Sequence, residues 1–127
     1  MEKKIKYLQL NDIDAYKAAF KLSNNVWNLV LKFDYFEKDT IGKQFTRSID
    51  SISANIAEGF GRYFKKDKVK FYRYSLGSVF ESLDWNEKLK SRSLISVEDY
   101  NYIFTELKAL PKSINSLIQY TNTKLKI

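Results

Sequence analysis

The chain contains no cysteine and no histidine, and only one proline and four glycines among its 127 residues. Without cysteine there is no disulfide framework and no thiolate metal site. That composition suits a reducing compartment, so a cytoplasmic location is expected. Without histidine the commonest general base is missing. The Glu-x-x-His motifs of di-iron bundles cannot be written in this alphabet. One proline and four glycines leave little of the punctuation that an all-β fold needs. No apolar run approaches the ~20 residues that span a bilayer, and the opening MEKKIKYLQL is too short and too polar for a secretory signal. Internal repeats, low-complexity tracts and linkers are also lacking. The expectation is a single domain over residues 1–127, with no membrane partner, no cofactor, no metal and no catalysis.

What is present is apolar, aromatic and basic. Hydrophobic residues make up 44% of the chain and aromatics 16%, enough for one core that buries about two-thirds of the unfolded surface. The most informative stretch is RSIDSISANIAEGFGR, residues 47–62. Ile41, Phe45, Ile49, Ile52, Ile56 and Phe60 recur every three or four positions, a helical period. Gln44, Arg47, Ser51, Asn55 and Glu58 form a second line, centred roughly 120° around the same helix. Short polar groups with one Arg and one Glu suit a packed hydrogen-bonding network. The alternative is a solvated face that is simply polar.

The same period places three more helices. The first is expected from near Asp12 or Asp14 to Phe33, with Asp as N-cap and an apolar face of Ile13, Tyr16, Phe20, Trp27, Val30 and Leu31. The second starts near Asp39 or Thr40 and ends at Gly59 as a C′ residue, before a loop over Phe60–Lys66. The third runs from near Asp67 to about Arg92. It carries Val69, Leu76, Phe80 and Leu83 on one side, and Tyr74, Ser78, Glu81 and Trp85 on nearly the opposite side. Bulky residues on two sides indicate a central helix or one at a subunit interface. The fourth is announced by Ser96-x-x-Asp99. It presents Tyr100, Ile103, Phe104, Leu107, Leu110, Ile114, Leu117 and Ile118, with Pro111 expected to kink it or locally open its hydrogen bonding. Short connections between long amphipathic helices make an all-α, antiparallel up-down four-helix bundle.

Charge is the second clue. Lys and Arg number 22 against 15 Asp and Glu, a net charge of +7. Arg62, Lys65, Lys66, Lys68, Lys70 and Arg73 cluster around a lone Asp67, with Tyr63, Phe64 and Tyr72 interleaved. Cations neutralise phosphates and aromatics stack on unpaired bases, so this segment is a candidate nucleic-acid-binding patch. It reads equally as ordinary solubility charge at a helix start with the aromatics buried. Lys3, Lys4, Lys6, Lys124 and Lys126 add basic ends. Gly59-Phe60-Gly61-Arg62 follows a helix and lacks the Gly-Lys-Ser/Thr ending of a phosphate loop, so it reads as a helix end. Glu58 and Glu81 could pair as carboxylates, but Asn55, Ser78 and Arg47 suit them better to a structural network.

Arg47, then Ser51, Ile52, Asn55, Ile56, Ala57, Glu58 and Gly59, then Gly77, Ser78 and Glu81 form a pattern in order and spacing. With it, the chain from about Ala15 to Tyr120 resembles the bacterial four-helix-bundle proteins encoded within intervening sequences of 23S rRNA genes. A related group assists reverse transcriptases in diversity-generating retroelements. Two positions depart from the family pattern: Ser53 and Phe33-Asp34 stand where the family often has Pro and Phe-Pro. The resemblance implies a ring-like homo-oligomer, five copies favoured, and a connection to RNA. It leaves open a direct RNA contact or a protein-interaction scaffold for a nucleic-acid enzyme. Arg47, Ser51, Asn55, Glu58, Ser78 and Glu81 are expected to be buried and mutually hydrogen-bonded, within or between subunits.

Overall fold

The computed structural model describes residues 8–125. Lys3, Lys4, Lys6 and Lys126 lie outside that range. A 3-10 turn, Leu10–Asp12, leads into α1, Asp14–Val30. A single helical turn, Tyr35–Glu37, and a π-helical turn, Lys38–Gly42, lead into α2, Lys43–Gly61. Then come α3, Lys65–Ser91, and α4, Val97–Lys124. No strand forms among the described residues. Each helix packs on its chain neighbours, and α1 also packs on α4. With connections this short, neighbours run antiparallel and the bundle is up-down.

Local chemistry sets the boundaries. Asp34 and Glu37 make a reciprocal capping box: Asp34 Oδ1 accepts from Glu37 N at 2.8 Å and Glu37 Oε1 accepts from Asp34 N at 3.0 Å. The second helical run therefore starts before the expected Asp39 or Thr40. Ser96 Oγ accepts from Asp99 N at 3.0 Å, as its spacing predicts. Asp12 does not cap α1. Its carboxylate accepts from Gln9 N at 2.8 Å in the preceding turn, and Asp14 is already helical. The α3 end is a Schellman turn, with Leu94 N donating to Leu89 O at 2.9 Å and Ser93 N donating to Lys90 O at 3.0 Å. The left-handed residue it needs is Ser93, at φ 57°. The helical assignment of α4 continues through Pro111.

The core is centred on α2. Phe45, Ile49, Ile52 and Ile56 are fully buried, as their spacing predicts, and Ile41 is nearly so. The α4 stripe is also buried, except for Phe104 at 37% exposure and a half-buried Leu117. Two expectations are met only in part: Ile13 and Val30 of the expected α1 face are buried, and Tyr16 packs against the core. α1 buries Ala15, Ala19, Leu22, Val26 and Val30, while Phe20, Trp27 and Leu31 remain about half exposed. α3 turns inward the stripe between its two bulky sides, with Val69, Leu76, Leu83 and Trp85 half-buried against the core at its edges. Its buried residues are Tyr72, Ser75, Val79, Ser82, Asn86 and Leu89, spaced three and four apart, and Phe80 is 62% exposed. In α3 the serines of that stripe face α2, whose backbone is close enough for Ser75 Oγ to reach the Ile52 carbonyl.

Gly59 shows how close. It is not a C′ residue: α2 continues through it to Gly61. A Cβ there would stand 2.7 Å from the Tyr72 ring and 2.9 Å from the Lys68 carbonyl oxygen. Gly77, midway along α3, has nothing within 4 Å of the equivalent point. Gly59→Ala should therefore cost about 1–3 kcal/mol by overpacking. Gly77→Ala should gain about 0.5–1 kcal/mol from helix propensity. Chemical denaturation of the two variants checks both signs, and a neutral Gly59→Ala would contradict the close approach.

Candidate nucleic-acid interface

The six clustered cations do not act alike. Lys68 Nζ donates to the Phe60 carbonyl at 2.7 Å and lies 5.5 Å from the Phe60 ring centroid. Burial pushes its pKa below the usual lysine value. Lys65 Nζ donates to the Asn122 and Leu125 carbonyls, each at 3.3 Å. Both ammonium groups thus sit at helix C-termini, those of α2 and α4, where unpaired carbonyls favour a cation. That engagement counts against these two as phosphate ligands. Arg62 Nε stands 3.5 Å from Glu58 Oε2, and its guanidinium lies 4.6 Å from the Phe71 ring centroid.

Lys66, Lys70 and Arg73 remain. They are exposed and four and three residues apart, so they share the outer face of α3. Lys70 Nζ lies 6.0 Å from the Phe71 ring and 5.9 Å from the Tyr74 ring, which meet edge-to-face at 5.4 Å. Exposed Tyr63 and Phe64 meet edge-to-face at 5.0 Å in the preceding connection. Cations and rings therefore alternate along α3 from Lys66 to Tyr74, and two more exposed rings stand in the connection that leads into it. Tyr72 is not part of it. It is 2% exposed beneath Gly59, and burial pushes its hydroxyl pKa up to about 12.

The expected network of Arg47, Ser51, Asn55, Glu58, Ser78 and Glu81 does not form within one chain. Ser51 Oγ donates to the Arg47 carbonyl and Asn55 Nδ2 donates to the Ser51 carbonyl, each at 2.8 Å inside α2. Glu58 pairs with Arg62, also locally. Arg47 and Glu81 are exposed and Ser78 is half-buried. Among the described residues no hydrogen bond or ion pair ties Ser78 or Glu81 to the α2 members. The interhelical polar contacts lie one step deeper. Ser82 Oγ donates to Ser48 Oγ at 2.9 Å, Ser48 Oγ donates to the Phe45 carbonyl at 3.1 Å, and Ser75 Oγ donates to the Ile52 carbonyl at 2.8 Å. That antiparallel register sets Ser51 level with Ser78 and Arg47 level with Glu81 along the rim of the α2–α3 seam. The three-four spacing of Tyr72, Ser75, Val79, Ser82, Asn86 and Leu89 was the signal for the deeper layer, and small polar residues hid it.

No group of three or more His, Cys, Asp or Glu side chains among the described residues could hold a metal ion. Glu81 is exposed at the seam rim, and Glu58 is committed to Arg62. No helix among the described residues is long and apolar enough to cross a membrane.

Residues 11–116 match the 23S rRNA-intervening sequence protein family. The fold is similar to the crystal structure, at 1.70 Å, of a protein with unknown function from the S23 ribosomal protein family of Bacteroides thetaiotaomicron. The TM-score is 0.73 at 24% identity, covering 82% of this chain and 97% of that one. No curated protein matches the chain.

Burial separates the two polar layers energetically. Ser82→Ala leaves the fully buried Ser48 hydroxyl without its interhelical partner and should cost about 1 kcal/mol. Glu58→Ala removes an exposed pair and should cost under about 0.5 kcal/mol. Urea midpoints for the two variants test this order.

Proposed function

Since the chain belongs to the 23S rRNA-intervening sequence protein family, we propose that it is a non-enzymatic, RNA-binding protein that acts as a ring-like homo-oligomer, five copies favoured. The outer face of α3 is the binding surface. The observation that carries this reading is Gly77. A glycine in the middle of a helix costs about 1 kcal/mol relative to alanine. Among the described residues nothing from outside its own helix comes within 4 Å of the point where its Cβ would stand, so packing among them does not account for it. A bare backbone on the surface that carries Lys66, Lys70, Arg73 and Tyr74 suits close approach by an external partner. Phosphates on the three cations and bases on the accessible rings fit that surface. Repetition around a ring turns a weak single-site affinity into a strong one.

A second reading has its own support. Phe20, Trp27 and Leu31 expose an apolar stripe along α1, as protein-binding surfaces do. In that reading the oligomer is a scaffold for a nucleic-acid enzyme, such as a reverse transcriptase or an RNA-processing complex, without touching nucleic acid.

Changing Lys66, Lys70 and Arg73 together to Glu discriminates between them. Under the RNA-binding reading the parent raises the fluorescence anisotropy of labelled single-stranded RNA at low salt. The log–log salt dependence gains a slope of about −0.7 per neutralised phosphate. The triple variant loses the response while keeping its helical circular dichroism and its mass by light scattering. An unchanged response in the triple variant would remove the outer face of α3 as the binding surface, and no response in the parent would remove direct binding and leave the scaffold. A parent mass of 15.0 kDa at micromolar concentration would remove the ring.

A further inference from the structure

Two faces of the bundle expose large apolar side chains. The helices pack in the cyclic order α1, α2, α3, α4, so the α1–α2 face and the α3–α4 face lie on opposite sides. On the first, α1 and the start of α2 flank a groove of about 370 Å³. Trp27, Val30 and Leu31 form its apolar wall, and Lys38, Lys43 and Arg47 stand at its rim. Trp27 and Leu31 are each 52% exposed, so about half of each side chain is left for an outside contact. The three rim cations are exposed and form no ion pair among the described residues. On the second face the main protrusion is Phe80 of α3. It stands about two turns before Glu87, whose carboxylate accepts from the Tyr100 hydroxyl, so both lie on the α4 side of α3. Phe104, stacked on Tyr100 at 5.8 Å, is exposed on that face too. From Phe80 toward the end of α3 the surface is acidic. Glu81 is the next residue, exposed and without an ion pair among the described residues, and Asp84, one turn on, is paired with Lys88.

We propose that the Phe80 ring of one copy seats in the α1–α2 groove of a second copy, with Glu81 meeting the basic rim that Arg47 and the two lysines form. The inference rests on the homo-oligomer reading above and names the contact that builds it. Charge and shape select a second copy as the occupant. The groove is apolar with a basic rim, and the protrusion is aromatic with an acidic flank. Each face leaves apolar surface and charge uncompensated within one chain, and the other face supplies what it lacks. The two surfaces differ and lie on opposite sides, so the contact is heterologous. Each copy offers its Phe80 to one neighbour and its groove to another, and a rotation between copies closes the ring. Lys66 and Lys70 lie toward the other end of α3, which the contact leaves open to RNA. The apolar stripe of α1 is then covered by a copy of this chain and not by a nucleic-acid enzyme.

Complementation between two variants tests the contact. Trp27→Gln removes the groove wall, and Phe80→Lys sets a cation against the basic rim. Both side chains are at least half exposed, so the helical circular dichroism should be unchanged. By light scattering the parent should be an oligomer, and each variant alone should fall to 15.0 kDa. In a concentrated equal mixture, the intact groove of the Phe80→Lys chain takes the intact Phe80 of the Trp27→Gln chain. The two faces left over are both spoiled, so the mass should rise to twice 15.0 kDa and stop there. A single variant that keeps the mass of an oligomeric parent would overturn this contact and leave the homo-oligomer reading standing. A mixture that stays monomeric, or that grows past two copies, would do the same. A monomeric parent would remove the homo-oligomer and this contact together.

Discussion

The close antiparallel packing of α2 on α3 is the contact on which the rest of the structure depends. It is made by what is missing at the interface: no Cβ at Gly59, and only a hydroxymethyl at Ser48, Ser75 and Ser82. Small side chains let the backbones approach, and the hydroxyls then find carbonyls and one another instead of remaining as buried orphans. Tyr72 fills the space over Gly59, and the Lys68 ammonium reaches across to the Phe60 carbonyl in the last turn of α2. With α3 seated so deeply on its narrow stripe, its large side chains are displaced to the flanks. Phe80 and Tyr74 are exposed for that reason, even though a bundle of this size has need of apolar surface.

The sequence shows α2 and α4 clearly because their buried faces are apolar in the ordinary sense. Ile49, Ile52 and Ile56, or Leu107, Leu110 and Ile114, leave one helical face to choose. α1 and α3 mislead because size and burial run in opposite directions there. Trp27 and Phe80 are among the largest apolar side chains in their helices and stay exposed, while Ala19 and Ser75 are buried. A period search weighted by hydrophobicity is drawn off these stripes, because they mix Ala19, Ser75 and Ser82 with Leu22, Tyr72 and Leu89. Turn chemistry was legible where it followed a spacing rule, at Ser96-x-x-Asp99, and equally present but unread at Asp34-x-x-Glu37. Gly59 serves close packing where a C′ role was expected, and the left-handed turn falls to Ser93 at the other end of α3.

The candidate sites divide along the same line. The basic segment was legible as a cluster, but the sequence could not separate Lys65 and Lys68, drawn to helix ends, from Lys66, Lys70 and Arg73, which face outward. The polar stripe of Arg47, Ser51, Asn55 and Glu58 is real as a surface feature. It lies along the seam rim level with Ser78 and Glu81, where a second chain could complete what one chain leaves open. The buried Trp85 indole N–H was illegible, because nothing in the sequence signals a donor that folding buries without an acceptor among the described residues.

Native-state hydrogen exchange across a denaturant series tests the central place of the α2–α3 pair most directly, since it reads the opening free energy of each helix separately. The account predicts that the amides of Ile49, Ile52, Ile56, Val79 and Ser82 exchange only through global unfolding, while those of α1 and α4 open at equal or lower free energy. Opening of α2 or α3 at a lower free energy than α1 and α4 would contradict it.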